Sequence, residues 1–323
     1  MTNLRSSNCD VSCRGHCVAR TAARIVGVLL LLAATAAPAS TQRTFTSPQA
    51  GVDALVQAVG ASDEAALRSI FGSDADTLLS SGDKVADARN RSLFSKAYAE
   101  AHRLDLANGT QATLVIGNDE WSLPIPLVKT GDRWHFDTTK GADEILARRI
   151  GRNELSAMKV CLAIVDAERD YATHDLDADG LPQYASRFVS RSGKRDGLYW
   201  PTSSNEPPSP LGSLLAAAAD EGYAHPGAQS LAPYHGYYYR ILTRQGKAAP
   251  GGARDYIVRG KLIGGFAVLA YPARYRASGV MTFVVDDSGA IYQKNLGPNT
   301  RAAAASIVAF DPDESWKKTN VPQ

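Results

Sequence analysis

Cysteine and methionine are scarce in this sequence, and the short signatures of the common catalytic machineries are missing. The 323 residues include four cysteines and three methionines. Cys9, Cys13 and Cys17 fall within the first 39 residues, a stretch that reads as a cleavable secretory signal, so only Cys161 is expected in the mature chain. One thiol cannot close an intramolecular disulfide, which excludes a disulfide-stapled scaffold. The CxxxCxxxC spacing of the first three does not argue for a metal, because a segment destined for proteolysis is a poor place for a ligand set. Cys161 sits among Met158, Val160, Leu162, Ile164 and Val165 and is expected to be a buried, inert thiol. There is no HExxH or HxH zinc spacing, no GxSxG elbow, no Walker loop and no dinucleotide glycine fingerprint. These absences argue against a catalytic transition metal, a serine hydrolase of the elbow type and a nucleotide-binding fold.

Long apolar runs are also lacking. Arg5, Arg14, Arg20 and Arg24, opposed only by Asp10, precede an apolar stretch from Ile25 to Ala37 that is too short to span a bilayer comfortably. It ends in Ala37, Pro38, Ala39, a small-x-small pattern, so cleavage after Ala39 is the expectation and an uncleaved anchor the alternative. Losing four Arg and one Asp takes the formal charge from +2 to −1. A near-neutral chain is a poor nucleic-acid partner, since displacing counterions from phosphates needs a concentrated basic field. The cluster Arg148, Arg149 and Arg152 is expected on the solvated face of a helix.

The remaining chain is long enough for two domains, and its pattern divides near residue 141. Ser47 followed by Pro48 opens an amphipathic helix carrying Val52, Leu55, Val56 and Val59. A second helix is capped by Ser62 and ended by Gly72, and a third runs from Asp83 to about His102. The period then shortens: 113–116, 121–129 and 133–137 read as an antiparallel meander, with Pro124 and Pro126 at an edge or bulge. This predicts a small α+β domain over 40–141. The second unit, 142–323, opens with a long helix over 144–172. An acidic loop and an irregular proline-rich stretch follow, then strands over 237–243, 256–258 and 266–271 and a hairpin of 280–285 with 290–294. The expected fold class is α+β throughout.

The segments RRIGRNELSAMKV (148–160), DADGLPQYASRF (177–188), DGLYWP (196–201), YHGYYYRILTRQG (234–246), APGGARDY (249–256) and GGFAVLAYPARYRASGVMTFVVD (264–286) resemble the exported bacterial domain-of-unknown-function family 2950. That resemblance covers nearly all of the chain after the signal and implies no established activity. The second half also resembles the globular part of type IV pilins and pseudopilins, without the hydrophobic helix by which pilins polymerise. The first half is similar to a cystatin or NTF2-like cone, an analogy of fold that licenses no function.

Asp175, Asp177, Asp179 and Gly180 are spaced as the first half of an EF-hand loop, and the carbonyl of Leu181 could add a ligand. The twelfth position is Ser186, where a calcium loop of that type places a bidentate Glu. Calcium is therefore the one candidate cofactor, against a plain solvated acidic loop. His102, His135, His174, His225 and His235 are scattered. His135 should face away from Trp134 and Phe136, and His235 should make a structural hydrogen bond. Gly251, Gly252, Gly264 and Gly265 are expected in turns or close backbone approaches, and Ser278 lacks an evident His partner. The tyrosines of 234–239 with Tyr271, Tyr275 and Tyr292 suit a protein or carbohydrate partner, although half should be core. No catalytic residues are assigned. The leading expectation is an exported, non-enzymatic envelope binding or assembly protein. An exported hydrolase with a site between the two halves, and a structural accessory of a pilus-like or secretion machine, are the alternatives.

Overall fold

A computed structural model describes residues 42–72, 75–174, 180–203, 205–224 and 232–322. Four helices come first: α1 (Pro48–Gly60), α2 (Glu64–Phe71), the short α3 (Asp76–Leu79) and α4 (Lys84–Glu100). Ser47 Oγ accepts the Ala50 N–H at 3.1 Å and Pro48 occupies the first turn, as the sequence requires. The cap of α2 is a correction. Asp63, whose Oδ1 accepts the Ala66 N–H at 2.9 Å, takes that place, while Ser62 sits in the left-handed region at φ 52°. Gly72, at φ 86°, ends α2 as expected.

The first sheet comprises β1 (His102–Ala107), β2 (Gln111–Ile116), β3 (Trp121–Ser122), β4 (Leu127–Thr130) and β5 (Arg133–Phe136). It is antiparallel, ordered β1-β2-β4-β5, with β3 paired to the far end of β2. The single strand expected over 121–129 is split in two, since Pro124 and Pro126 cannot donate to a ladder. Val52, Leu55 and Ile70 from the helices close on Leu114, Leu127 and Phe136 to form the first core. Trp134 and Phe136 are buried and His135 between them is half-exposed, the alternation a strand dictates.

Helix α5 (Thr138–Thr173) is 36 residues long and starts six residues before the position expected from the sequence. Tertiary contacts supply what the pattern there lacks. Thr138 Oγ1 donates to the Phe71 carbonyl at 2.7 Å, and Gly141 lies so close to the Pro124 carbonyl that a Cβ would stand 2.2 Å from its oxygen. The division expected near residue 141 thus falls in the first turn of a continuous helix. Ile145 near its start packs on the first core, while Ala157, Cys161, Ile164 and Val165 belong to a second. Both cores lie in one compact unit.

The second core lies between α5 and a five-stranded antiparallel sheet. After α6 (Gly212–Asp220) come β6 (Tyr237–Leu242), β7 (Arg244–Gln245), β8 (Arg254–Asp255), β9 (Ile257–Val258), β10 (Lys261–Leu262), β11 (Ala267–Pro272), β12 (Met281–Asp286), β13 (Ile291–Asn295), α7 (Thr300–Ser306) and β14 (Lys317–Thr319). The large sheet runs β14-β13-β12-β11-β6, and β7–β8 and β9–β10 are two-stranded ribbons. Phe266 to Ala270 and Phe283 to Val285 are buried, and the β12–β13 hairpin turns where expected. At the start of its buried face α5 grips this sheet. Glu154 Oε1 accepts the N–H groups of Val280 and Met281, both at 2.9 Å, and Asn153 Nδ2 donates to the Ser278 carbonyl at 2.9 Å. The architecture is α+β.

Candidate functional site

A cleft of about 810 Å³ opens where the C-terminal turn of α5, the segment 183–196 and the β9–β10 ribbon meet. Each wall is fixed by a backbone anchor. Tyr171 on α5 donates its hydroxyl to the Arg195 carbonyl at 2.7 Å, and the Tyr184 N–H donates to the Leu262 carbonyl at 2.8 Å, tying the segment to the ribbon. The ribbon itself turns through Arg259 and Gly260 at φ 51° and 83°, the two left-handed residues of a type I′ hairpin. Asparagine and glycine favour the first of these positions; here it carries a cation.

The lining is strongly basic. Among the described residues Arg187, Arg191, Lys194, Arg195, Arg259 and Lys261 face the cleft against one carboxylate, Asp196. Asp196 accepts the Arg191 backbone N–H at 2.8 Å and pairs with the Arg191 guanidinium, with Arg187 at 4.0 Å. Partial burial acts to raise the Asp196 carboxyl, but these donors outweigh it and hold the group below the usual carboxylate range. Arg195 pairs with Glu206 at 3.3 Å and lies over the Trp200 ring at 5.4 Å. Among the described residues Lys194 and Arg259 have no ion-pair partner. Uncompensated cations in a concave, polar site attract anions and hold them by charge-assisted hydrogen bonds.

Glu168 lies behind the cleft wall on α5. It is fully buried; its Oε2 accepts the Ala185 N–H at 2.8 Å, and its Oε1 has no hydrogen-bond partner among the described residues. Burial pushes its carboxyl up to about 8, the Ala185 N–H only partly opposing, so at neutral pH this group carries a proton.

A second polar cluster joins the two halves of the unit. Asp83, the N-cap of α4, is buried; its Oδ2 accepts from Tyr223 Oη and from the Gly236 N–H, each at 2.9 Å. Glu221 Oε2 stands 3.2 Å from Arg89 and 3.6 Å from His235 Nε2. Burial holds the His235 imidazole below its ordinary range, so it is neutral at pH 7. Asp83 and Tyr223 spend their polar atoms on each other and on the backbone, which makes the cluster a clamp between the halves.

Of the expected calcium ligands, Asp175, Asp177 and Asp179 lie outside the described residues, and Leu181 is exposed. Among the described residues no three His, Cys, Asp or Glu side chains gather as a metal would need. Ser278 is buried, its hydroxyl accepting the Arg274 N–H and donating to the Arg274 carbonyl within one turn, so no nucleophile is exposed there. Cys161 is buried, and that burial pushes its thiol far up, as an inert thiol requires. Of the basic cluster, Arg149 departs from expectation. It is mostly buried and donates to the carbonyls of Thr77 and Leu78, closing the C-terminal end of α3. Of the tyrosines expected to offer a partner surface only Tyr237 is fully buried; Tyr234, Tyr239, Tyr271 and Tyr292 pack partly buried on the second core, and Tyr238 is half-exposed against Tyr271 at 5.4 Å. The cleft was not foreseen. The density of Arg187, Arg191, Lys194 and Arg195 within nine residues was the available signal, but their partners on the β9–β10 ribbon are more than sixty residues away.

Fold and site together define an α+β protein with one basic, anchored cleft beside its second core. Over residues 42–319 the chain matches the family described as "Protein of unknown function (DUF2950)", and it belongs to that family. No curated protein and no solved structure matches it. No helix among the described residues is long and apolar enough to cross a membrane.

Proposed function

We propose that this chain is an exported, non-enzymatic binding protein that takes an anionic, oxygen-rich ligand in the basic cleft. The observation carrying this reading is that, among the described residues, six cations face one carboxylate in about 810 Å³, and Lys194 and Arg259 have no ion-pair partner. A volume of that order suits a ligand of headgroup or small-metabolite size. Export rests on the basic and apolar pattern of the first 39 residues and on their small-x-small ending. The likeness of the second half to pilin globular domains, and of the first to cystatin or NTF2-like cones, belongs to the same proposal and concerns architecture alone.

Calorimetric titration with glycerol 3-phosphate tests the reading. Binding should weaken as salt rises and should fall about tenfold or more in the K194Q/R259Q double variant. No heat at millimolar ligand in low salt, or an affinity indifferent to both substitutions, would overturn it. Calcium held by Asp175, Asp177, Asp179 and the Leu181 carbonyl is a separate proposal, supported by spacing alone. It requires a calcium-dependent rise in melting temperature that D177A and D179A abolish.

A further inference from the structure

Exposed aliphatic side chains are concentrated at the mouth of the cleft. Among the described residues eight large hydrophobic side chains are exposed, and four of them, Leu181, Ile257, Val258 and Ile263, lie on or beside the segments that line the cleft. Ile257 and Val258 are adjacent on β9, so strand alternation should bury one of them. Both are exposed, at 42% and 43%. Among the described residues the ribbon thus leaves side chains of both its faces accessible, and it is rooted by Leu262, which is buried and bonded through its carbonyl to Tyr184. Its tip is Arg259, in the left-handed conformation that side chains of its kind adopt at a cost.

Isolated exposed aliphatics are ordinary, but a projecting ribbon that presents two of them beside uncompensated cations is not explained by packing. A soluble anion would use the cations and leave Ile257 and Val258 in water. A surface with acidic groups over hydrocarbon would use both: the aliphatics enter the boundary while Arg259 and Lys194 meet phosphates.

We infer that the β9–β10 ribbon docks this protein on an anionic phospholipid surface, with a lipid phosphate entering the basic cleft. The inference rests on the anion-binding reading of the cleft and names where the anion is displayed. The test is sedimentation of the protein with vesicles of phosphatidylglycerol in phosphatidylcholine and, separately, with phosphatidylcholine alone, beside titration with soluble glycerol 3-phosphate. The protein should sediment with the anionic vesicles, be released by high salt, and ignore the neutral ones. The V258S/I263S variant, at two exposed positions that do not line the cleft, should lose about tenfold or more in vesicle affinity while binding glycerol 3-phosphate as before. Each cation removed, in K194Q or R259Q, should weaken vesicle binding about fivefold. V258S alone stands in for the double variant if urea unfolding shows that the latter has lost its fold. Equal sedimentation with neutral vesicles, or V258S/I263S binding like the unmodified protein, would overturn the inference. Glycerol 3-phosphate bound without vesicles being bound overturns it too but leaves the cleft reading standing; neither being bound removes both.

Discussion

Replacing Glu168 by Gln should flatten the dependence of stability on pH. The Glu168 carboxyl is fully buried, one oxygen accepting the Ala185 N–H and the other unpartnered among the described residues, and burial raises it from 4.5 to about 8. The folded state thus keeps a proton that the unfolded chain releases. The stability this group permits is fully present below about pH 4.5, declines as pH rises, and levels off above about pH 8. Within that window the slope is about 1.4 kcal/mol per pH unit, so the chain should lose about 3 kcal/mol between pH 5.5 and 7.5 through this residue. Glutamine keeps an oxygen for Ala185 and cannot ionise. The difference between the two proteins cancels other titrating groups, including His235, whose depressed value tilts stability the opposite way. Any constant offset from the new amide N–H also drops out of the slope. Urea unfolding at half-unit steps from pH 5 to 8.5 reads it directly. Parallel profiles for Glu168→Gln and the unmodified chain would refute the reasoning.

Two further substitutions probe how α5 and the large sheet are locked. A Cβ at Gly279 would stand 2.0 Å from Tyr237 Oη, which donates to the Met281 carbonyl, so Gly279→Ala should cost about 3 kcal/mol. Adding Tyr237→Phe should recover part of that loss, and strictly additive unfolding energies would contradict the clash. Glu154→Ala strips the acceptor from the Val280 and Met281 N–H groups and should cost about 2 kcal/mol by thermal unfolding, with Glu154→Gln costing less; equal losses would mean that charge, not acceptance, matters.

What could be read in advance depended on whether the signal was local. The start of α1 was legible because its cap and proline are adjacent, and the β12–β13 hairpin because Asp286 and Gly289 carry the turn chemistry themselves. In the turn Asp286 Oδ1 accepts from Ser288 and Ala290, and Gly289 has φ 85°. Strand β1 was not foreseen, since His102–Ala107 is an edge strand exposed at five of six positions and shows no buried face. Its turn residues Asn108 and Gly109, at φ 52° and 68°, were the signal that could have found it. The first turn of α5 was unreadable for another reason. Its stability comes from Phe71 and Pro124, residues with no sequence relation to it.

The cleft lies at the far end of that scale, because net charge is a sum and a binding field is a local density. A chain near neutrality can still gather six cations against one carboxylate among its described residues, provided acids are spent elsewhere. Four of its acids are so used: Asp83 clamps Tyr223 and Gly236, Glu154 holds the β12 backbone, Asp63 caps α2, and Glu168 is protonated. Near-neutral charge therefore speaks against an extended polyanion such as a nucleic-acid duplex, whose binding needs cations spread over many phosphates. It does not speak against one or two phosphates in a closed site. The arrangement predicts its own salt response. An anion held mainly by Lys194 and Arg259 should show a shallow slope of affinity against salt, corresponding to about two released counterions; a slope several times steeper would mean that the contact extends well beyond this cleft.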